Sequence, residues 1–304
     1  MIEAKSPIDF HDGLMSLYKA GLPRGSSTGW PSVDNHYTVA RGQWTLVSGI
    51  PGMGKSEFVD AMLINLARQG WQFVIFSPEN QPHQLHVAKL VEKWVRKPFG
   101  TGPSVRVTED EINEAMIDME KHFSFLTINQ EFVSMPSIRA VVESSAAQIG
   151  VWRTAGLGKR VGLVIDPWNE MDHGRPSSQT ETEYISQTLS YVRQFAREWN
   201  VHVWIVAHPK QQQKDKDGKY QCPRPYDVSG SAHWYNKADC CIAVHRDVVN
   251  GGQVEIHVQK VRFKNIGKPG LVLLDYDKVT GCYYDPNYVT SRKSLAAGEE
   301  ACPI

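Results

Sequence analysis

The stretch Gly49-Ile50-Pro51-Gly52-Met53-Gly54-Lys55-Ser56 decides the fold class of this 304-residue chain. It fills the pattern GxxxxGK[ST] and lies between an apolar run, Gln43–Ser48, and a helical stretch that begins at Lys55. Glycines let backbone N–H groups surround phosphate oxygens, and the start of a helix adds a favourable dipole. In such a loop the Lys55 ammonium neutralises charge on the β- and γ-phosphates and the Ser56 hydroxyl ligates Mg²⁺. We therefore predict that this loop binds a nucleotide, and an ordinary glycine-rich turn is the alternative. The predicted contact residues are Gly49, Pro51, Gly52, Met53, Gly54, Lys55, Ser56 and Glu57.

Strand-like and helix-like segments alternate along the first two thirds of the chain. The predicted strands are Gln43–Ser48, Phe73–Ser77, Val161–Ile165 and Val201–Ala207. The predicted helices are Lys55–Gln69, Pro82–Arg96, Glu109–Lys121, Ser137–Gly150 and Thr180–Trp199. This alternation indicates an α/β fold with a mostly parallel sheet, and the almost wholly apolar strands indicate that helices cover both of its faces.

The last third of the chain has a different pattern. Four strand-like runs follow one another with turn residues between them and little room for helices: Cys240–His245, Val254–Val261, Gly270–Asp275 and Cys282–Asp285. They predict an antiparallel extension of the parallel sheet. At the other end, Phe10–Ala20 has Leu14, Leu17 and Tyr18 at the spacing of one helical face, which predicts a short helix on a linker.

The charge balance excludes a strongly basic protein. Lys plus Arg number 33 and Asp plus Glu 33, so a nucleic acid would have to be held by a local basic patch. The five cysteines form no CxxC pair, so neither a zinc site nor a disulfide framework is indicated. No stretch approaches the roughly 18 apolar residues of a membrane span, and the start lacks the order of a signal peptide. We expect a cytosolic protein with no membrane partner.

Titratable side chains follow three of the predicted strands. Asp166 is placed to be a magnesium partner, with a helix N-cap or turn before Pro167 as the alternative. Glu79 is a candidate for polarising an attacking water molecule, and Glu170 is the rival base. His208 is placed to contact the γ-phosphate, although a histidine at a strand end is often structural. Because parallel strands end at the same edge, these groups are expected to converge.

A long polar loop lies between His208 and Asn236. Its lysines are Lys210, Lys214, Lys216 and Lys219. They are candidates for contacts with nucleic-acid phosphates, and an ordinary solvated loop is an equally good interpretation.

A series of motifs follows one order and spacing along the chain: Thr28-Gly29-Trp30-Pro31, the phosphate-binding loop, Phe76-Ser77-Pro78-Glu79-Asn80, the strand before Asp166, Ala207-His208-Pro209-Lys210, Gly230-Ser231-Ala232 and Gln259-Lys260-Val261-Arg262-Phe263. In this the chain resembles the motor domain of ring-shaped replicative DNA helicases, the DnaB, Twinkle and phage helicase-primase group. The resemblance extends from Leu22 to Asp285. It implies a RecA-like P-loop NTPase core that forms a hexamer around single-stranded DNA and uses ATP and Mg²⁺.

The resemblance also implies roles for individual residues. It makes Glu79 the catalytic carboxylate, Asp166 the magnesium-site acid and His208 the γ-phosphate sensor. Lys260 and Arg262 match the basic pair that one subunit inserts into the ATP site of its neighbour.

Further roles concern the adenine base and the DNA channel. Arg246 and Tyr276 fall where some relatives clamp the adenine between a guanidinium and a ring. A place in the core of the antiparallel extension is an equally good interpretation of Tyr276. Lys210 and the segment Gly230–Ser231 correspond to the loops that line the DNA channel in the family, and Lys214 and Lys216 are candidate DNA contacts as lysines of the same polar loop.

Three segments follow from the resemblance: an N-terminal linker helix and arm (residues 1–24), a RecA-like ATPase/helicase domain (25–290) and a flexible tail (291–304). The helix Phe10–Ala20 fits the linker helix that docks on an adjacent subunit in this family. Asn236 departs from the family, because relatives carry a Gln or Arg there that links the ATP site to DNA.

The expected function is ATP-driven 5'-3' translocation of a ring on single-stranded DNA. A RecA- or Rad51-like recombination ATPase and a non-unwinding loader ring are the alternatives. Because no primase region lies upstream, we expect a separate primase or polymerase partner. A compact motor of this kind also suits the cytoplasm of a bacterial or phage-infected cell.

Overall fold

One large sheet organises the part of the chain that this computed structural model describes, which is residues 3–128, 134–210, 212, 214, 216, 218, 220–228, 232–246 and 252–288. Its strands are β1 (Trp44–Ser48), β2 (Gln72–Phe76), β3 (Phe123–Phe125), β4 (Val161–Ile165), β5 (His202–Ala207), β6 (Cys240–His245), β7 (Val254–Val261), β8 (Gly270–Tyr276) and β9 (Tyr283–Tyr284). The helices are α1 (His11–Ala20), α2 (Pro31–Asp34), α3 (Lys55–Ala67), α4 (His83–Val95), α5 (Glu109–Glu120), α6 (Ile138–Thr154), α7 (Glu181–Glu198) and α8 (His233–Lys237).

The order of the strands across the sheet is β3-β2-β4-β5-β1-β6-β7-β8-β9. The first six in this order are mutually parallel, and β7, β8 and β9 continue the sheet in antiparallel fashion. This confirms the predicted fold class, an α/β sheet that is mostly parallel and has an antiparallel extension. β1 lies between β5 and β6, so the loop that follows it has sheet on both sides.

Helices cover both faces of the sheet and create two apolar cores. One core packs α3, α4 and α5 against the sheet and contains Phe58, Trp71 and Trp204. The other packs α6, α7 and α8 against the opposite face and contains Trp44 and Trp234. Because the central strands β1, β4 and β5 are buried along their whole length, their sequences are mostly apolar instead of alternating between apolar and polar residues.

Helices α5 and α7 each begin at a capping box, in which two residues cap the helix with reciprocal hydrogen bonds. The Thr108 hydroxyl accepts a hydrogen bond from the Glu111 backbone N–H, and the Glu111 carboxylate accepts one from the Thr108 N–H. Thr180 and Glu183 make the same pair of contacts at the start of α7. Each pair satisfies N–H groups that have no partner inside the helix, which fixes where the helix starts.

The register of the parallel strands brings their carboxyl ends to one edge. Ser48 lies opposite Ala207, and Ile165 lies opposite Phe76 and Ile205. The residues that follow these positions therefore emerge side by side at the carboxyl edge of the sheet, where open α/β sheets bind their ligands.

Helix α1 packs differently from the others, because none of its residues is buried. Its most exposed apolar side chains are Tyr18, with 81% of its surface accessible, and Leu14, with 63%. Ile8 and Phe10, in the short 3-10 helix that precedes α1, are exposed as well. The amphipathic spacing in the sequence predicted a helix here, and within this chain its apolar face remains open to solvent.

Several short elements are absent from the sequence prediction. β3 has three residues, while α2 has four and α8 five, and segments of this length lack the periodicity by which a sequence reveals a strand or helix. Helix α6 extends to Thr154, beyond its predicted end at Gly150. In the described part of the chain no helix combines the length and apolarity that crossing a bilayer demands. The predicted flexible tail lies outside the described residues.

Candidate functional site

The loop between β1 and α3 depends on glycines at defined positions. Gly54 has φ +93° and is the N-cap of α3, and Gly52 has φ +79°, a left-handed conformation that costs other residues energy. At Gly49 an added Cβ would lie 2.4 Å from the Val244 carbonyl oxygen on β6. The loop is therefore shaped by backbone conformation and by the neighbouring strand, and it leaves α3 with its first N–H groups directed at the sheet edge.

Lys55, the first residue of α3, folds its side chain back into this loop. The residue is only 5% exposed, and its Nζ donates a hydrogen bond to the Ile50 carbonyl at 3.3 Å. Burial lowers the pKa of Lys55, while the charges of Asp166 and Glu79 oppose that shift. A buried ammonium held by a neutral carbonyl is suited to a phosphate oxygen, because such a ligand would supply the missing negative charge.

Asp166 follows β4 and is 4% exposed. Its Oδ1 atom is buried without a hydrogen-bond partner among the described residues, and the carboxylate is hydrogen-bonded to the Ser56 side chain. Burial raises its pKa to about 6, with Asp60 and Glu79 adding to the shift and Ser56 and Lys55 opposing it. An orphaned carboxylate oxygen beside a hydroxyl is a donor set that fits Mg²⁺.

Glu79 and His208 meet at the same edge. His208 Nε2 lies 3.3 Å from Glu79 Oε1, and the Glu79 side chain is 47% exposed while that of His208 is 19% exposed. Burial lowers the pKa of His208, and the positive charge of Lys55 lowers it further, against the opposing effect of Glu79. The shift favours the neutral form of the His208 imidazole. Glu170 is close enough to influence this pKa but does not line the cleft described next.

Lys55, Glu79 and His208 line a cleft of about 680 Å³, and Asp166 lies behind Ser56 without lining it. Its predicted residues are Pro51, Gly52, Gly54, Lys55, Ser56, Glu57, Glu79, His208, Arg246 and Tyr276. Gly49 and Met53 shape the loop without lining the cleft, and Met53 is buried with its N–H donated to the Ile50 carbonyl.

The far wall of the cleft is aromatic and cationic. Arg246 Nη2 donates to the Gly52 carbonyl at 3.0 Å, which ties the end of β6 to the phosphate loop. The rings of Tyr276 and Tyr283 lie 4.9 Å apart, and the Tyr283 hydroxyl donates to the Gly54 carbonyl at 3.4 Å. Burial raises the pKa of Tyr276 to about 12, so it is a neutral phenol. A guanidinium and a ring on one wall are compatible with stacking of a planar base.

Sequence reasoning missed a set of charges that joins α3 to α4 beside this cleft. The Glu57 carboxylate contacts Lys93 Nζ at 2.6 Å and Lys89 Nζ at 3.3 Å. Lys89 also donates to Asn80 Oδ1 at 3.5 Å, next to Glu79. The predicted ligand Glu57 therefore has its carboxylate occupied by lysines. Spacing of Lys89 and Lys93 on one helical face was the available signal, but nothing in the sequence identified Glu57 as their partner.

Asn169 was also missed. Its Oδ1 accepts a hydrogen bond from the His208 backbone N–H at 2.8 Å, so the segment after Asp166 fixes the position of His208. The contact joins two loops that are far apart in sequence, which no local pattern reveals.

Lys260 and Arg262 lie at the opposite edge of the sheet. Lys260 is paired with Cys241 near the start of β6, and neither side chain lines the cleft. The six residues of β6 span the distance between the two edges, and five steps of about 3.3 Å between the first and last of them give roughly 17 Å. Lys260 Nζ donates to the Tyr235 carbonyl and lies over the Tyr235 ring. Arg262 donates to the Asn236 carbonyl at 2.9 Å and pairs with Asp239 at 3.3 Å.

The predicted DNA-binding residues are only partly described. Lys210, Lys214 and Lys216 are exposed. The Lys210 N–H donates to the Asp227 carbonyl, and the Lys214 ammonium lies 5.2 Å from the centre of the Tyr220 ring. Gly230 and Ser231 lie outside the described residues.

The family model of the DnaB-like helicase C-terminal domain matches residues 25–281 of this chain. The chain belongs to this family. The Twinkle homolog protein of Arabidopsis thaliana, chloroplastic/mitochondrial, is 44% identical over 288 residues, which are 91% of this chain and 39% of that protein. The chain therefore spans about two fifths of the length of this relative.

Two solved structures show the same fold as this DnaB-like domain. One, described as a DnaB-like replicative helicase and its interactions with primase, has a TM-score of 0.72 at 18% identity and covers 93% of this chain and 67% of that one. A solved ATPase domain has a TM-score of 0.73 at 18% identity and covers 93% of this chain and 99% of that one. The resemblance to replicative helicases is thus confirmed, and so is the RecA-like architecture. Membership of this family implies nucleotide binding.

The expected cytoplasm of a bacterial or phage-infected cell is wrong. The Arabidopsis relative is a chloroplast and mitochondrial protein of a eukaryote, and it is 44% identical to this DnaB-like domain. The physical reason for the error is that the motifs report ATP chemistry and sheet geometry. Those requirements are the same in a phage, a bacterium and an organelle, so the motifs carry no information about the compartment.

We predict that Glu79→Gln retains nucleotide binding but loses ATP turnover, because the amide fills the space of the carboxylate without accepting a proton. Nucleotide affinity by fluorescence titration and phosphate release with and without single-stranded DNA would measure the two properties. The matched control is Glu170→Gln, which changes the rival carboxylate outside the cleft and should leave turnover within about twofold. Normal turnover in Glu79→Gln, with loss in Glu170→Gln, would reverse the assignment.

Proposed function

We propose that this chain is the motor of a replicative DNA helicase that forms a ring, binds ATP with Mg²⁺ and translocates 5'-3' on single-stranded DNA. The observation that carries the proposal is that Lys55, Glu79 and His208 line one cleft, with the buried Asp166 close enough to interact electrostatically with Lys55 and Glu79, in a member of a helicase family. Hydrolysis at subunit interfaces, the hexameric ring and the polarity follow from the resemblance to the family.

The cleft fits ATP and Mg²⁺ by the chemistry of its donors. The phosphate loop and Lys55 would bind the β- and γ-phosphates, and Ser56 and the unpartnered Oδ1 of Asp166 would hold the metal ion. When bound, Mg²⁺ neutralises charge on the phosphate oxygens. Arg246 and Tyr276 would receive the adenine on the far wall.

Glu79 and His208 have complementary roles in this proposal. The Glu79 carboxylate orients a water molecule and accepts its proton during attack on the γ-phosphate. The pKa shift of His208 favours its neutral form and the ring lies 3.3 Å from Glu79, so its imidazole can contact the γ-phosphate and respond when that group leaves. The Asn169 contact to the His208 backbone holds this sensor in place at the start of the lysine-bearing loop.

Lys260 and Arg262 act in a neighbouring subunit. They lie at the amino edge of the sheet, about one strand length from their own cleft, so they cannot reach their own nucleotide without a large rearrangement. Arg262 is also held in place by Asn236 and Asp239, which keeps its guanidinium at the surface of the subunit. In a ring, this surface would face the next ATP site.

Two exposed features would mediate assembly and DNA binding. The apolar face of α1 has no partner among the described residues and would dock on an adjacent subunit. Lys210, Lys214 and Lys216, with Gly230 and Ser231, would line the channel for single-stranded DNA. A primase or polymerase is the proposed protein partner. The Arabidopsis relative supports an organellar setting.

Unwinding of a forked duplex is the direct test of the proposed function. With ATP and Mg²⁺ we expect displacement of a labelled strand when the fork carries a 5' single-stranded tail for loading, and little displacement when only a 3' tail is present. Electron microscopy on single-stranded DNA should show closed rings. Filaments that exchange strands without unwinding would favour the recombination ATPase, and rings that neither unwind nor hydrolyse ATP would favour a loader.

We predict that replacing Lys210, Lys214 and Lys216 with Ala weakens binding to single-stranded DNA and flattens its salt dependence. Counterion release falls by roughly 0.7 per lost phosphate contact on a single strand, so three contacts would reduce the slope of log affinity against log salt by about 2. Fluorescence anisotropy at several salt concentrations measures that slope, and basal ATPase should be retained. The control replaces Arg106 and Lys121, which are exposed elsewhere. An unchanged slope in the triple variant would place the DNA path away from this loop.

We predict that Arg262→Ala binds ATP but hydrolyses it slower by a factor on the order of 10³ to 10⁵, because the guanidinium stabilises charge on the transferred phosphoryl group. Mixing the Arg262→Ala variant with the Glu79→Gln variant tests whether Arg262 acts between subunits. Glu79→Gln subunits still offer Arg262, and Arg262→Ala subunits still offer an intact cleft, so co-assembled rings should recover hydrolysis that neither variant has alone.

The matched control for this experiment is Arg193→Ala, which removes the other cation paired with Asp239 at 3.1 Å. It should hydrolyse ATP at nearly the rate of the unmodified chain. Co-assembled mixtures that show only the sum of the separate activities would mean that Arg262 has no role in a neighbouring site.

A further inference from the structure

A second polar pocket lies at the edge of the sheet away from the nucleotide cleft. Its volume is about 350 Å³, near the lower end of the range for small-ligand sites. Much of its wall comes from residues that precede parallel strands, so it belongs to the amino edge: Arg41, Gln43, Trp71, Arg160 and Asn200. The remaining wall comes from residues 23–26, Val39, Ala40, Asn265 and Ile266. Ligands of open α/β sheets bind at the other edge, so this pocket is not part of the ATP site.

The charged side chains that line this pocket are all cationic. Arg24, Arg41 and Arg160 line it, and none of its described lining residues is acidic. In the part of the chain that the structure describes, none of the three guanidinium groups forms an ion pair with a carboxylate. Three neighbouring cations without a counter-charge repel one another, and an anion bound between them would relieve that repulsion.

Two of the arginines are held in position by neutral groups. Arg41 Nη1 donates to the Lys159 carbonyl at 2.8 Å, and Arg160 Nη1 donates to the Gln69 carbonyl at 3.0 Å. A guanidinium has five N–H donors, so one hydrogen bond to a carbonyl orients the group and leaves most of its donors available. The carbonyls neutralise no charge. The pocket thus combines preorganised donors with uncompensated positive charge.

We propose that this pocket binds a phosphate group. Guanidinium groups match phosphate oxygens in pairs of parallel hydrogen bonds, and the Asn200 and Asn265 side chains provide amide donors at the rim. Trp71, the aromatic residue of its described lining, is 1% exposed and its Nε1 donates to Ser26 Oγ at 3.0 Å. With no ring face available for stacking a base, the pocket recognises the phosphate itself, carried by a small inorganic anion or by a nucleic-acid backbone.

The position of the pocket gives its occupancy a structural consequence. Asn265 Nδ2 donates to the Pro23 carbonyl at 2.6 Å, so the linker that follows α1 is attached to the connection between β7 and β8 at this point. Phosphate bridging Arg24 of the linker to Arg41 and Arg160 of the sheet edge would strengthen that attachment. Binding to the folded state alone stabilises it by mass action, so thermal stability should rise with phosphate concentration.

The test uses the full chain carrying Lys55→Ala, so that binding in the nucleotide cleft is weakened in every sample. Inorganic pyrophosphate is titrated calorimetrically at constant ionic strength, and thermal unfolding is followed in parallel. Adding Arg41→Ala and Arg160→Ala should weaken pyrophosphate binding by about tenfold or more, since hydrogen bonds to charged groups contribute about 1.5–3 kcal/mol each. In this double variant, pyrophosphate should no longer raise the unfolding temperature.

The matched control is Arg106→Ala, an exposed arginine outside the pocket, which should leave pyrophosphate affinity unchanged. Arg24→Ala provides a second variant that disturbs no hydrogen bond among the described residues, so a folding defect in the double variant would not end the test. It should weaken pyrophosphate binding as well.

A short oligothymidylate distinguishes the two sources of phosphate. If the arginine substitutions weaken both pyrophosphate and oligothymidylate, the pocket accepts backbone phosphates. If they weaken pyrophosphate alone, it accepts a small anion. Pyrophosphate binding that is equally strong in the unmodified pocket, the double variant and Arg24→Ala would overturn the proposal.

Discussion

The charges buried at the carboxyl edge of the sheet are the constraint on which the rest of the site depends. Burial makes the charged form of Lys55 less favourable and does the same to the charged form of Asp166, as their opposite pKa shifts show. The two residues compensate each other only in part, since Asp166 Oδ1 retains no partner among the described residues. A ligand that brings negative phosphates to Lys55 and a cation to Asp166 would satisfy both groups at once. The fold therefore holds these charged groups at a preorganised site. Binding of such a ligand would offset the free-energy cost of burying them.

The two edges of the parallel sheet have different chemical character because the chain reaches them differently. At the carboxyl edge, loops follow strands and lead into helices, so the helix start at Lys55 and the acids Glu79 and Asp166 meet there. At the amino edge the chain enters the strands, and the side chains gathered there are mainly arginines and amides. The antiparallel β7 reverses this order and places Lys260 and Arg262 at the amino edge. The chain thus has the candidate ATP cleft at one edge of the sheet and cations at the other, the arrangement that the proposed assembly with shared sites would require.

The sequence was sufficient for the features that obey local rules. The phosphate loop could be recognised because its glycine conformations and the following helix start are encoded within a few residues, as Gly52 and Gly54 show. Parallel topology followed from apolar strands, and the convergence of Glu79, Asp166 and His208 followed from that topology. The contacts that could not be predicted join distant segments. Three pairs of residues become neighbours only through the packing of separate loops and helices: Asn169 and His208, Glu57 and Lys93, and Arg41 and Arg160.

The departure at Asn236 has a structural explanation that the sequence could not supply. Lys260 and Arg262 both contact the backbone of α8: Lys260 donates to the Tyr235 carbonyl and Arg262 donates to the Asn236 carbonyl. Arg262 also pairs with the buried Asp239. A backbone carbonyl is the same in every residue, so the connection from α8 to the cations does not depend on the side chain at position 236. These contacts between α8 and the two cations therefore do not require the Gln or Arg that the family resemblance leads one to expect at position 236.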